Sequence, residues 1–143
     1  MKKKILIILS LFILISTSSF SQCRDFTTKK VVPKLDDFLL TGKYHSLILA
    51  EGDEILILKT LNKGLKYRFV IMGEDNINKP QFILLNWNNK VLFDNKNENF
   101  TSIYDYKCNK TERVKIVIKI PESSEKKRII QEGCVCLVIG IKI

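Results

Sequence analysis

Histidine is nearly absent from this sequence: His45 is the single one in 143 residues. A Ser-His-Asp apparatus would have to be built on it, yet the Gly-x-Ser-x-Gly turn that presents a nucleophilic serine does not occur. His45, between Tyr44 and Ser46, therefore reads as a residue on a strand surface. A phosphate-cradling glycine loop is also missing. No Pro/Gly/Ser linker, internal repeat or low-complexity tract divides the chain, which leaves one small globular unit. Nor is there an Arg-rich stretch interleaved with aromatics. The lysines are scattered among Asn and Glu, so the formal charge of +9 reads as a solvated basic surface and not as a face for nucleic acid or anionic lipid.

Long apolar runs are lacking too. The longest, residues 5–15, is interrupted only by Ser10 and falls short of the ~20 residues that a permanent membrane anchor needs. It follows Lys2-Lys3-Lys4 and precedes a stretch of mostly small residues, the order of zones in a secretory signal. Small residues at Ser19 and Ser21 place the expected cut between Ser21 and Gln22, so residues 1–21 are read as a signal peptide. An alternative is lipoprotein processing with Cys23 lipidated, but Gln22 stands where that processing wants a small residue. The product is expected to be periplasmic or secreted, with no transmembrane span after processing. The three lysines of the leader account for three of the nine positive charges, leaving about +6 on the remainder.

Four cysteines, Cys23, Cys108, Cys134 and Cys136, lie beyond the leader. An even number in an oxidising compartment points to as many as two disulfides, with three possible connectivities.

Segment 22–42 is distinct from the rest. Pro33 suits the first turn of a short helix running to Leu40 and stopped by Gly42, with Leu35, Phe38 and Leu39 on one face. From residue 43 onward short β runs alternate with turn residues. The runs are 44–50, 54–61, 65–72, 81–87, 91–93, 103–108, 113–120 and 134–141. Asn62-Lys63-Gly64 suggests a hairpin between the second and third. Leu65, Tyr67, Phe69 and Ile71 alternate with Lys66, Arg68, Val70 and Met72, and Val114, Ile116, Ile118 and Ile120 alternate with Arg113, Lys115, Val117 and Lys119, which assigns the first set of each to a buried face. About eight strands at this spacing predict an all-β, antiparallel sandwich or jelly-roll-like domain over 43–143, with the short N-terminal helix packed on one sheet.

The closing run sharpens this. Val135, Leu137, Ile139 and Ile141 belong to the core, which turns Cys134, Cys136, Val138 and Gly140 to a second face that is not polar either. The segment carrying Leu35, Phe38 and Leu39 is the natural cover, and Cys23 precedes it. A disulfide from Cys23 to the Cys134/Cys136 region is therefore predicted, worth roughly 3–5 kcal/mol for so long a loop. Cys108 is left to pair with the remaining cysteine.

The stretches Gly64-Leu65-Lys66-Tyr67-Arg68-Phe69-Val70, Gln81-Phe82-Ile83-Leu84-Leu85 and Val91-Leu92-Phe93-Asp94-Asn95, with the ending Gly133-Cys134-Val135-Cys136-Leu137-Val138-Ile139-Gly140-Ile141-Lys142, resemble a small family of uncharacterised exported proteins of Bacteroidota. The resemblance brings no activity with it. More loosely, the strand order is similar to the pre-peptidase C-terminal β-sandwich, which implies a domain that accompanies secreted enzymes without catalysing.

Several residues could carry chemistry. Cys108, Cys134 and Cys136 could ligate zinc, although their spacing is not the usual Cys-x2–4-Cys and export favours disulfides. Asp94, Asn95, Asn97, Glu98 and Asn99 make an oxygen-rich loop suited to calcium, with Asp94, Asn97 and Asn99 the nominated ligands, but Lys96 and Asn99 occupy positions where an EF-hand loop wants a ligand and glycine. Glu51, Asp53, Glu54, Glu74 and Asp75 read as ordinary turn acids. Trp87, Tyr104 and Tyr106 are the aromatics to nominate for stacking on a sugar, their competing role being core packing. The sum is a non-catalytic exported β-sandwich, needing no cofactor, that binds an envelope or secreted protein. Carbohydrate recognition through the exposed aromatics, with or without calcium, is the second reading, and a small hydrolase the third.

Overall fold

The computed structural model describes residues 19–124 and 129–143, so most of the expected leader, residues 1–18, lies outside the described residues. The alternating segments form two antiparallel sheets packed face to face. The strands are β1 (Leu39–Leu40), β2 (His45–Ala50), β3 (Glu54–Leu61), β4 (Lys66–Gly73), β5 (Gln81–Asn86), β6 (Val91–Asp94), β7 (Ile103–Lys107), β8 (Glu112–Lys119) and β9 (Glu132–Lys142). In the first sheet β9 is flanked by β4, which pairs on with β7, and on its other side by β1 and β2 laid end to end. The second sheet runs β3-β8-β5-β6.

Period-two alternation decides what lies between the sheets. Tyr67, Phe69 and Ile71 of β4, Val114, Ile116 and Ile118 of β8, and Val135, Leu137 and Ile139 of β9 all enter one core with Ile120, Phe82, Leu84 and Phe93. Tyr104 of the first sheet stacks on Phe93 of the second, ring centroids 3.7 Å apart, and ties the layers together at one end. Where Leu85 faces Val91, Leu92 is an extra residue in β6, a bulge that keeps Phe93 opposite Leu84 inside.

Two sequence expectations about connection are corrected. Asn62-Lys63-Gly64 does turn the chain, with Gly64 at φ +88° and its N–H donating to the Cys108 carbonyl. The strands it joins are not a hairpin: β3 pairs with β8 in the second sheet, and β4 with β7 and β9 in the first. Most strands alternate between sheets in the same way, and only β5–β6 pairs sequence neighbours among the described strands. Both inner faces are apolar, so a local turn signal does not say whether the next strand pairs beside its predecessor or crosses the core.

The second correction concerns the N-terminal helix. It lies upstream of the expected 33–40, as α1 (Ser19–Phe26), continued by a π turn over Thr27–Val31 and a 3-10 turn over Val32–Leu35. Pro33 does sit at the start of that last turn, but Asp36 takes φ +55° and breaks it. Leu39 and Leu40 then pair with Ile141 and Gly140 as β1. Edge hydrogen bonds of β9 are available there, and an extended chain satisfies them where a helix could not. Leu39 consequently faces solvent, while Val31, Leu35 and Phe38 cover Val70, Cys136 and Val138 as the expected second cluster. Gly140 allows the close approach: a Cβ there would stand 2.8 Å from both Leu35 Cδ2 and Phe38 Cβ.

Cys23 bonds to Cys134, fastening this cover across 111 residues of sequence. Thr27, fully buried, donates its hydroxyl to the Cys23 carbonyl at 2.7 Å. Cys108 and Cys136 do not pair. Cys108 belongs to the core between the sheets and Cys136 to the cluster under the cover, so the first sheet itself separates them.

Candidate functional site

The second sheet has an outer face as well, and β3, β8, β5 and β6 build it rung by rung. At one end Glu54, Lys119 and Gln81 lie in register, then Leu56, Val117, Ile83 and Asp94, then Leu58, Lys115, Leu85 and Val91. Trp87 follows Asn86 at the end of β5 beside Arg113. The exposed apolar side chains are Leu56 and Leu58 on the edge strand β3 and Val91 on the edge strand β6, 58%, 51% and 55% exposed, with Val117, Ile83 and Leu85 between them and Trp87, 48% exposed, at one end. Such residues ordinarily face a core, and a contiguous exposed group of them on a sheet marks an interaction surface.

Polar pairs border the patch. Lys119 bridges to Glu54 at 2.8 Å. Gln81 Nε2 donates to both oxygens of Asp94, at 3.0 and 3.1 Å. At the other end the Arg113 guanidinium sits 4.3 Å and the Lys115 ammonium 4.9 Å from the indole centroid of Trp87. Lys115 Nζ also donates to Asn89 Oδ1 at 2.8 Å. Two cations over one indole fix the ring's position and make that end positive.

The nominated aromatics are not brought together. Trp87 stands outside the second sheet, whereas Tyr104 and Tyr106 of β7 pack against the core between the sheets. Burial pushes the Tyr106 hydroxyl up to about 12, helped by its hydrogen bond to Glu112 Oε1 at 2.8 Å. Burial raises Tyr104 as well. Tyr104 and Tyr106 alternate with Asp105 and Lys107 along β7, a period-two signal for an inward face, whereas Trp87, just past the end of β5, has no such signal.

The oxygen-rich loop is occupied with its own folding. Asn95 is buried and accepts from Phe82 N at 2.8 Å while donating to the carbonyls of Pro80 and Thr101 at 3.1 and 3.0 Å. Asp94 Oδ1 accepts from Lys96 N at 2.9 Å and starts a 3-10 turn over Asn95–Glu98, which Asn99 ends in the left-handed conformation. The nominated Asp94, Asn97 and Asn99 thus lie along a capped turn, and Asp94 is already held by Gln81 and Lys96 N. Among the described residues no group of three His, Cys, Asp or Glu could hold a metal. The cysteines named for zinc are divided between a disulfide, the inner core and the covered cluster. Burial pushes the Cys136 thiol up to about 11, which keeps it protonated at neutral pH. His45 stands exposed on β2, opposite Leu137.

A hollow of about 530 Å³ opens where β4 ends, between Ile71–Asp75 and Asn99–Ser102. Its Glu74 is engaged structurally, accepting from Cys134 N at 2.8 Å. By contrast, Leu56, Leu58, Val91 and Trp87 on the outer face of the second sheet are left about half open to solvent or more.

Among solved structures, the crystal structure of Aeromonas hydrophila PliG, a periplasmic lysozyme inhibitor of g-type lysozyme, superimposes with a TM-score of 0.53. The match covers 74% of this chain and 89% of that one at 12% identity. The chain is similar to PliG in fold. At such low identity the likeness to PliG extends to the sandwich and no further. No family model matches the sequence, and no curated protein matches it. Among the described residues no helix is long and apolar enough to cross a membrane.

Proposed function

We infer that this is an exported, non-catalytic binding protein, and that the outer face of its second sheet docks a protein partner whose surface is apolar at the centre and acidic beside it. The carrying observation is that Leu56 and Leu58 on β3 and Val91 on β6 stand more than half exposed on one sheet face, joined across it by Val117, Ile83 and Leu85, next to the Arg113–Trp87–Lys115 stack. Burying such a patch releases roughly 25 cal/mol per Å² of apolar surface. The two cations select carboxylates at the patch's edge and steer their approach.

Export is supported by the leader-like order of residues 1–21 and by the Cys23–Cys134 bond, which belongs to an oxidising compartment. That bond also occupies the sulfur that lipidation of Cys23 would need. PliG, similar in fold, is a periplasmic inhibitor of an enzyme, which favours a protein partner and an accessory role.

Carbohydrate recognition keeps one observation, the half-exposed Trp87. Arg113 and Lys115 already lie over that ring, and among the described residues no second exposed aromatic joins it as a platform. A glycan array separates the two readings: binding lost on Trp87→Ala but retained in Leu56→Asp/Leu58→Asp favours the sugar.

The decisive experiment is crosslinked capture from the native envelope with wild type and three variants. The partner is expected to be lost with Leu56→Asp/Leu58→Asp and with Arg113→Glu/Lys115→Glu, retained with Lys29→Gln, and weakened by salt. Equal capture by all variants would reject this face. A g-type lysozyme is the first enzyme to assay for inhibition.

A further inference from the structure

We propose that the end of the first sheet where β9, β4 and β7 lie side by side binds a phosphate-type oxyanion. Lys66 is in register with Lys142 on one side and with Lys107 on the other, so three lysines occupy a single cross-strand row. All three project outward, because their chain neighbours Tyr67, Tyr106 and Ile141 turn into the core. One rung further along the same face Arg68 stands opposite Asp105. Together with Asp37 and Phe38 these side chains line a cleft of about 380 Å³.

Two carboxylates and four cations line this cleft, and both carboxylates are already engaged; Asp36, outside the lining, adds a third negative charge acting on Arg68. Asp105 receives the Arg68 guanidinium on both oxygens, each at 2.7 Å. Asp37 receives Lys142, whose hydrogen bond holds its carboxyl below the usual range. The side chains of Lys66 and Lys107 have no hydrogen-bond or ion-pair partner among the described residues.

Like charges directly opposite on adjacent strands repel. Lys66 and Lys107 break that rule with no ion-pair partner of their own among the described residues, which points to a site whose compensation comes from outside. Strands ~4.8 Å apart let two neighbouring ammonium groups converge on one ligand. A phosphate offers both a double charge and several acceptor oxygens in that span, and ammonium groups bind it as point charges. A diphosphate fits best, because its second group reaches the third lysine of the row. This cleft is on the sheet opposite the apolar face, so the inference stands apart from the proposed docking.

The test is calorimetric titration of pyrophosphate into the disulfide-intact protein. Saturable binding that weakens with salt is expected, reduced tenfold or more in Lys66→Gln/Lys107→Gln and unchanged in Lys90→Gln. The ligand-free double variant should melt no lower than wild type, because repulsion has been removed, which separates lost binding from lost folding. Undiminished binding by the double variant, or no saturation by wild type in the millimolar range, overturns the proposal. Sedimentation with phosphatidylglycerol and phosphatidylcholine vesicles then distinguishes sources. Lysine-dependent binding to the former alone identifies a lipid headgroup, and pyrophosphate binding without vesicle binding identifies a soluble phosphate.

Discussion

The two outer faces of this sandwich began from the same problem and met different ends. Each is apolar where a sheet exposed to water would be polar: Cys136, Val138 and Val70 on the first sheet, Leu56, Leu58, Ile83 and Val117 on the second. The first face is covered by the chain itself. Val31, Leu35 and Phe38 lie on it, Gly140 lets them come close, and Cys23–Cys134 holds them there. The second face keeps Leu56 and Leu58 half open. The first face shows how an apolar strand face is satisfied by a cover from the same chain; the second has no such cover among the described residues.

The largest way to test this comparison is to unfasten the covered face. Cys23→Ala/Cys134→Ala should lower stability by about 4 kcal/mol, as expected for a link closing more than 100 residues. Denaturant titration measures the loss, and a hydrophobic dye should bind the exposed Val138 side of the sheet. If the double variant lost nothing, the N-terminal segment would be held by packing alone.

Gly140→Ala presses a methyl group into Leu35 and Phe38 and should cost about 2 kcal/mol by overpacking, with faster amide exchange in the N-terminal segment. The same cover controls a titration. Cys136 is raised from about 9 to about 11 by burial, so the folded state holds a proton that the unfolded state releases first. Its contribution is full below pH 9 and is lost as pH rises through about 11, on the order of 2 kcal/mol. Tyr106, raised to about 12, acts in the same direction at higher pH. Alkaline melting curves should show the decline, and Cys136→Ala should remove the lower part of it.

The smallest effect on stability is expected on the bare face. Leu56→Asp/Leu58→Asp should change unfolding free energy by no more than about 0.5 kcal/mol, as exposed positions do, while abolishing partner capture. A large loss of stability there would mean the face is covered after all.

Much of the inward-facing pattern was legible in advance. Tyr67, Phe69 and Ile71, the Val114–Ile120 set, and Val135, Leu137 and Ile139 point inward as alternation requires, because a period of two admits no other assignment once one face is buried. Cys23 was traceable to β9 by the same reasoning: a strand apolar on both sides needs a cover. The candidate site was half legible. Trp87 was named, but its companions Leu56, Leu58 and Val91 were read simply as strand residues, since β3 by itself looks like a strand buried on both faces.

Sequence by itself determined most of the strands beyond residue 43, their inward side chains and the need for the N-terminal segment to reach the Cys134/Cys136 region. Only the tertiary structure decided which strands pair, because most connections cross between sheets and local turn chemistry is blind to that choice. It also decided that Leu39 extends along β9 in place of coiling, that Cys108 and Cys136 lie on opposite sides of a sheet, and that three lysines far apart in sequence share one row. Those facts depend on long-range register, which backbone hydrogen bonding fixes only once the whole sheet is assembled.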